Sequence, residues 1–393
     1  MARTERHRVL WVVQGSDWIG EQTEFVHLAK RLPEGWIGCL VFLRKPDNLD
    51  AIQQVVAHRN VTVTSLGMRG YRTLPVVLLR FLRLIRRFRP AVVHSHHPPA
   101  NLVNGWSKPL AAAFLSHRYR TLFGYRNSAE GLRFRGRFLE RLNRQLADQV
   151  ICSSPGVERS FFGDSHLLSD GTEVRQSRRK HWTLFNAVDV DGLRRQRDGV
   201  LESGRDPKTD GAVRRIISVA AFKEQKGHRT LLTAFQRLCE RVSAVELVLV
   251  GDGPLRGEME QLAESLGIAQ RCFFCGHQRD PVPWLAHADL FVLASYWEGL
   301  PKALLEAMAL DLPCVATRVE GVEDVLDGDS LVAPWDSAAL ADALETQLVD
   351  PEAARARVEA QRAVIERFNI DSTAMVAFDV YRELSGSGTK MRG

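Results

Sequence analysis

The sequence predicts an α/β protein of two doubly wound domains, each a parallel sheet with helices on both faces. Strand signals alternate with helix signals almost throughout, the rhythm of βαβ units. The rhythm breaks once, in a polar stretch at 195–214 holding Gly199, Ser203, Gly204, Asp206, Pro207 and Gly211. At 393 residues the chain also exceeds one ordinary core, since domains run to roughly 100–200 residues. A hydrophobic content of 45% and a charged content of 25% argue against a largely disordered chain. No apolar run approaches the ~20 residues that span a bilayer, which argues against a polytopic membrane protein.

The elements follow in order. Residues 9–13 form an apolar strand that runs straight into the loop Gly15-Ser16-Asp17, so they read as a first strand and not as a signal peptide. Residues 23–32 carry Phe25, Leu28, Ala29 and Leu32 at helical spacing. Strands are expected at 39–43 and 61–66, a strong helix at 74–88, short buried strands at 91–94 and 121–124, a helix at 135–146 and a strand at 149–153. Beyond the polar stretch come strand 215–219, helix 230–241, strand 245–250, helix 257–266, strand 272–275, helix 281–288, strand 290–293, helix 302–309 and strand 313–316. Helices at 337–348, 352–367 and 371–384 close the series. This gives an N-terminal domain at 1–194, a linker at 195–214 and a C-terminal domain at 215–370. Residues 371–393 supply a helix expected to pack back towards the N-domain, then a frayed tail. Two such domains place a ligand in the cleft between them, at the carboxyl ends of the strands.

The segment from Ser295 to Ala307 is the most informative. A strand runs through a loop into a helix, with Pro301 suited to the first turn. The unpaired N–H groups and partial positive charge of a helix start suit a diphosphate. Glu298 stands before the helix and Glu306 inside it, so the two carboxylates can flank such a group. Each can accept hydrogen bonds from vicinal hydroxyls, a sugar at one end and a ribose at the other. Taken alone, the pair reads equally well as two ordinary glutamates on a solvated helix. Gly251-Asp252-Gly253-Pro254 fails the dinucleotide pattern G-x-G-x-x-G at Arg256 and sits mid-chain, so a dehydrogenase fits poorly. Cys272-Phe273-Phe274-Cys275, with His277 nearby, looks like half a zinc site. Residues three apart on a strand point to opposite faces, however, and no second C-x-x-C exists. Asp189-Val190-Asp191 and Asp327-Gly328-Asp329 read as turns. The six cysteines mostly sit in apolar runs, the pattern of buried thiols in a reduced, cytoplasmic protein. No metal and no other cofactor is expected.

In their order and spacing these segments resemble the retaining family 4 glycosyltransferases (glycosyl transferases group 1) of the GT-B fold, two Rossmann-like domains facing across a cleft. The resemblance covers most of the chain. It is carried by Glu298-Gly299-Leu300-Pro301 with Glu306 eight residues on, by Gln225-Lys226-Gly227-His228, and by Val250-Gly251-Asp252-Gly253-Pro254. Phe185-Asn186-Ala187-Val188-Asp189, Val93-His94-Ser95-His96 and Ala147-Asp148-Gln149-Val150 extend it towards the N-terminus. The resemblance implies that Glu306 binds the nucleotide ribose and Glu298 the donor sugar hydroxyls. Lys226 and the backbone stretch Gly299, Leu300 and Pro301 would bind the donor diphosphate. Lys226 and Glu298 are then the catalytic candidates. Gly251, Gly253, Gly276 and His277 would lie near the nucleotide, and Gly20 would let the donor phosphates approach the backbone. A departing nucleoside diphosphate gathers negative charge, which an ammonium and a helix terminus stabilise without a metal. Two positions depart from the family. Ala221 stands where relatives often carry an Arg, with Lys223 the nearest substitute, and Ile19 replaces the first glycine of the pair that Gly20 completes.

His94, His96 and His97 end a buried strand. No Asp, Glu or Cys accompanies them locally and Pro98-Pro99 follows at once, which weakens a metal reading. His94 and His96 remain candidates for the acceptor side or for plain structural use. After the next strand, Arg126 and Asn127 stand where many relatives carry a cleft histidine.

The net charge of +6 hides an asymmetry. Residues 51–150 contain 17 Lys and Arg against 3 Asp and Glu. Arg80, Arg83 and Arg87 share one face of the helix at 74–88, with Arg86 at its border. Phe81, Phe88, Phe134 and Phe138 interleave with this helix and with the cluster Arg133, Arg135 and Arg137. An anionic membrane surface fits these charges, and so does a solvated face. No nucleic-acid motif accompanies them. The combined expectation is a cytoplasmic enzyme, peripheral on the inner face of the cell membrane. It would move a sugar from a nucleoside diphosphate sugar to a hydroxyl of a glycan or lipid-linked acceptor, with retention, in bacterial surface polysaccharide biosynthesis. The alternative is a non-catalytic scaffold of the same fold that binds a nucleotide or glycan.

Overall fold

The computed structural model describes residues 7–15, 20–126, 129, 140–204 and 213–386. The chain divides into two compact units. The first holds residues 1–186 with 370–393, the second residues 187–369.

The first unit is a seven-stranded parallel sheet. Its strands are β1 (Arg8–Val13), β2 (Ile37–Phe42), β3 (Val61–Ser65), β4 (Val92–His96), β5 (Arg120–Tyr125), β6 (Gln149–Cys152) and β7 (His181–Thr183). They lie in the order β3-β2-β1-β4-β5-β6-β7. Strands such as RVLWVV are buried almost end to end, because a parallel sheet is covered on both faces. One face carries Trp11, Phe25, Trp182, Phe378 and Tyr381, the last two from the C-terminal helix Ile370–Leu384. The other face buries Val77, Phe81 and Ile85 of the helix Leu74–Phe88 beside Ala100, Val103 and Ala111 of the helix Pro98–Leu115.

The second unit is a six-stranded parallel sheet. It comprises β8 (Arg214–Val219), β9 (Val245–Val250), β10 (Cys272–Gly276), β11 (Leu290–Leu293), β12 (Cys314–Thr317) and β13 (Leu331–Val332). Their order is β10-β9-β8-β11-β12-β13. Phe222, Phe235, Leu238, Leu249, Leu340 and Leu344 build its core. The two chain crossings leave this unit side by side, for Val188 N–H donates to the Phe368 carbonyl at 3.0 Å.

The structure differs from the sequence expectation in several places, among them the helices Leu49–Val56 and Pro155–Phe162 and the strands β7 and β13, none of which was anticipated. The division falls at Asn186, not in a linker at 195–214, because residues 190–202 form a helix of the second unit. Its Arg197 donates to the Leu310 carbonyl at 3.2 Å and to Asp311 at 2.8 Å. The helix Pro98–Leu115 was not anticipated behind its two prolines, although proline suits a first helical turn. Phe81 is fully buried and Phe88 packs partly buried against the same core, so neither lies among the surface arginines. The cluster at 133–138, and the beginning of the helix expected at 135–146, lie outside the described residues. All six cysteines are free thiols.

Candidate functional site

In the second sheet the connections run one way from β8 and the other way from β11. That reversal opens a crevice between the carboxyl ends of these two strands, where doubly wound sheets bind ligands. The loops at 220–227 and 294–301 follow those strands and rim the crevice.

The two loops are closed on each other by hydrogen bonds. Tyr296 N–H donates to the Gln225 carbonyl at 2.8 Å, and the Gln225 amide donates to the Trp297 carbonyl at 2.7 Å. Gly227 makes this approach possible: its φ is +62°, and a Cβ there would sit 1.9 Å from the Ala294 carbonyl oxygen. The result is a direct ion pair, Lys226 Nζ to Glu298 Oε1 at 2.5 Å. Glu298 is buried, and the same oxygen accepts from Ser295 Oγ at 2.6 Å. Thr317 Oγ1 donates in turn to the Ser295 carbonyl. A buried carboxylate needs such donors, and an opposite charge compensates its desolvation.

Gly299, Leu300 and Pro301 are buried and lead into the helix Lys302–Ala309, with Pro301 at its N-cap. A third loop presses on them. Gly321 has φ +80°, and a Cβ there would come within 1.2 Å of the Gly299 carbonyl oxygen. Sequence reasoning missed Gly321, whose only signal is a lone glycine beyond β12. Glu306 is partly buried on the helix. Burial pushes its carboxyl above the usual range and nearby Asp280 adds to this, while Lys302 draws it back.

Of the remaining residues expected on the donor side, those of the second unit follow β8, β9 and β10. Gly251 N–H donates to the Gly276 carbonyl at 2.9 Å, and Gly253 lies where a Cβ would be 2.6 Å from the Phe222 carbonyl oxygen. Lys223 and His277 are exposed, and Ala221 is partly buried. His228 stacks on Phe222, and burial beside the Lys226 charge pushes its pKa down to about 4. Gly20 opens the helix Gly20–Lys30 in the first unit, while Ile19 and Asn127 lie outside the described residues.

The first unit holds a second polar assembly, at the β4 and β5 ends. Arg126 donates to Glu24 at 2.5 Å, to Asn186 at 2.5 Å and to His96 Nε2 at 3.0 Å. His96 Nε2 lies 3.1 Å from His94 Nε2, and His94 Nδ1 lies 2.7 Å from Tyr381 Oη. Trp11 Nε1 donates to that hydroxyl at 3.1 Å. Arg and Trp can only donate, so His96 Nε2 accepts from Arg126 and the Tyr381 hydroxyl accepts from Trp11. Burial, aided by the Arg126 charge, holds His94 well below the usual range. His94 and His96 are buried and Arg126 nearly so, whereas His97 is partly exposed at φ +75°. No set of three metal-ligating side chains gathers anywhere among the described residues.

Residues 213–350 match the family model described as "Glycosyl transferases group 1", and residues 20–164 match "Glycosyl transferase 4-like domain". The N-acetyl-alpha-D-glucosaminyl L-malate synthase of Bacillus anthracis is 30% identical over 58% of this chain and 62% of that protein. The lipopolysaccharide core biosynthesis glycosyltransferase LpsE of Rhizobium meliloti is 38% identical over 54% of this chain and 56% of that one. The uncharacterized glycosyltransferase MJ1059 of Methanocaldococcus jannaschii is 28% identical over 61% and 58%. The chain thus spans less than two thirds of the length of these relatives. Among solved structures, Anabaena Alr3699/HepE in complex with UDP-glucose superposes with a TM-score of 0.74 at 17% identity, over 96% of this chain and 99% of that one. Sucrose-phosphate synthase of Thermosynechococcus elongatus does so at 0.73 and 19%, over 98% and 100%. Together the two models match well over half of the chain, and the group 1 model spans both Lys226 and Glu298: the chain belongs to the group 1, family 4-like glycosyltransferases, and its fold is GT-B.

Proposed function

We propose that the protein transfers a sugar from a nucleoside diphosphate sugar to a hydroxyl of a glycan or lipid-linked acceptor, with retention and without a metal. The observation that carries this reading is the Lys226–Glu298 pair across the β8/β11 switch point. A diphosphate arriving at the start of the helix Lys302–Ala309 competes with Glu298 for the ammonium. As Lys226 turns to the phosphate oxygens, Glu298 is freed to accept the sugar hydroxyls, so donor binding itself arms the carboxylate. Bond cleavage then builds charge on the leaving diphosphate, which Lys226 and the backbone N–H groups of Gly299 and Leu300 would stabilise. Glu306 takes the ribose. Neighbouring structures carry UDP and UDP-glucose, which supports a UDP-sugar donor. The relative LpsE is named for lipopolysaccharide core biosynthesis, which supports a bacterial surface polysaccharide product. The acceptor belongs to the first unit, whose basic surface holds the protein on the cytoplasmic face of an anionic membrane.

The test is turnover of a panel of UDP-, GDP- and ADP-sugars with excess EDTA, the product anomer being read by NMR. Transfer with EDTA present and with retained configuration is expected. Strict dependence on manganese or magnesium would overturn the metal-free mechanism. An inverted product would overturn retention. Loss of neither binding nor turnover in Lys226→Ala would move the donor site elsewhere.

A further inference from the structure

Beyond the loops that carry Lys226, Glu298 and Gly321, a further loop meets the Glu298 loop through an aromatic pair. Trp335 follows β13 in the loop before the helix Ser337–Val349. Its φ is +71°, a left-handed conformation that bulky L-residues rarely hold. Its side chain is 63% exposed, so core burial does not explain why a tryptophan occupies this position. The ring stacks on Tyr296 with the planes 15° apart. Tyr296 is bound on its other sides as well. Its hydroxyl meets Thr230 Oγ1 at 2.9 Å, and its N–H donates to the Gln225 carbonyl. Its ring edge lies 3.2 Å from where a Gly227 Cβ would stand. Tyr296 is therefore flanked by Gln225 and Gly227, the neighbours of Lys226, and stands two residues before Glu298.

We infer that Trp335 is a positioning residue. Through Tyr296 it holds the 224–227 loop against the 294–298 loop, and so sets the Lys226–Glu298 geometry used in transfer. This rests on the donor-site reading above. Glycine tolerates φ +71° without strain, so Trp335→Gly removes the stack while relaxing the backbone. The variant is expected to melt no lower than wild type. Its turnover of the panel donor that wild type uses best should fall by about tenfold or more, since small misplacements of reacting groups are expensive. UDP affinity should change less, and Trp335→Tyr should restore most of the turnover. Amide exchange in the 222–230 and 290–299 segments should quicken in Trp335→Gly.

Wild-type turnover and exchange in Trp335→Gly would overturn the inference, and so would a loss of turnover that tracks a lower melting temperature. Lys226→Ala is run in parallel: if it too keeps turnover, the donor-site reading has failed, and if it alone loses turnover, only the role of Trp335 has.

Discussion

Lys226 and Glu298 hold each other at 2.5 Å, so a diphosphate has to win the ammonium away from a carboxylate. Glu298→Gln removes that competitor without changing the size of the side chain. UDP should then bind as tightly as to wild type or several-fold more tightly, while turnover falls by about a hundredfold or more, as when a transition-state contact is lost. Titration calorimetry and donor turnover read the two effects separately, and a parallel fall in UDP affinity would contradict the competition. Glu306→Ala deletes the proposed charge-assisted contact to the ribose, expected to cost about 1.5–3 kcal/mol of UDP affinity. Because burial raises the Glu306 carboxyl, wild-type UDP affinity should also start to fall on acidification earlier than an ordinary glutamate predicts, and Glu306→Gln should abolish that slope. These residues were singled out by the family resemblance, whose motifs are local: a carboxylate before a helix, a lysine after a strand. Their pairing was not legible, since 72 residues separate them. Gly321 was illegible for the same reason, because its partner is the Gly299 carbonyl of another loop.

Long elements with a clear apolar run were legible, whereas short ones such as Leu49–Val56, which buries only Ile52 and Val56, and those defined by polar partners were not. β9, β11 and the helix Lys302–Ala309 emerged from pattern alone, because continuous apolar runs and helical spacing reflect burial directly. The helix Val190–Glu202 buries only Val190 and depends on arginine contacts to residues more than a hundred positions away, so it resembles a linker. The helix Pro98–Leu115 was hidden by Pro98, Pro99 and Pro109, which read as breakers. The helix His228–Cys239 starts on a buried titratable residue, and this has a consequence for stability. Burial and the Lys226 charge hold His228 at about 4, below the usual 6.5. The unfolded state therefore binds a proton that the folded state does not, between those two values. This stability is present above pH ~6.5 and is lost as pH falls towards ~4, by about 3 kcal/mol for the second unit. Thermal unfolding followed across that window should show the loss, and His228→Phe, which can keep the stack on Phe222, should flatten it. An unchanged slope in the variant would assign the effect to other groups.

On the scale of the whole molecule, charge is the strongest asymmetry. Residues 51–150 carry 17 basic and 3 acidic side chains, and no Asp or Glu occurs between Asp50 and Glu130. No helix among the described residues is long and apolar enough to cross a membrane, so any lipid contact has to be interfacial. The structure changes which residues could make it. Phe81 belongs to the core, whereas Tyr71, Val76 and Leu79 are exposed at the start of the helix Leu74–Phe88, and Arg83, Arg86 and Arg87 are exposed towards its end. Arg80 is also exposed but spends one guanidinium N–H on the Leu66 carbonyl at 2.7 Å, so its removal would disturb the fold as well as the charge. The sharper variant is therefore Arg83→Ser, Arg86→Ser and Arg87→Ser together. Each arginine near an anionic leaflet contributes about 1 kcal/mol, so the three account for ~3 kcal/mol, roughly a hundredfold in partitioning. Wild type should sediment with vesicles rich in anionic lipid, leave them in high salt where the charges are screened, and ignore neutral vesicles. The triple variant should remain in the supernatant while binding UDP as wild type does, because Lys226, Glu298 and Glu306 of the proposed donor site all belong to the second unit. Equal sedimentation of variant and wild type, or binding indifferent to lipid charge, would make this face a solvated one and point to a soluble acceptor.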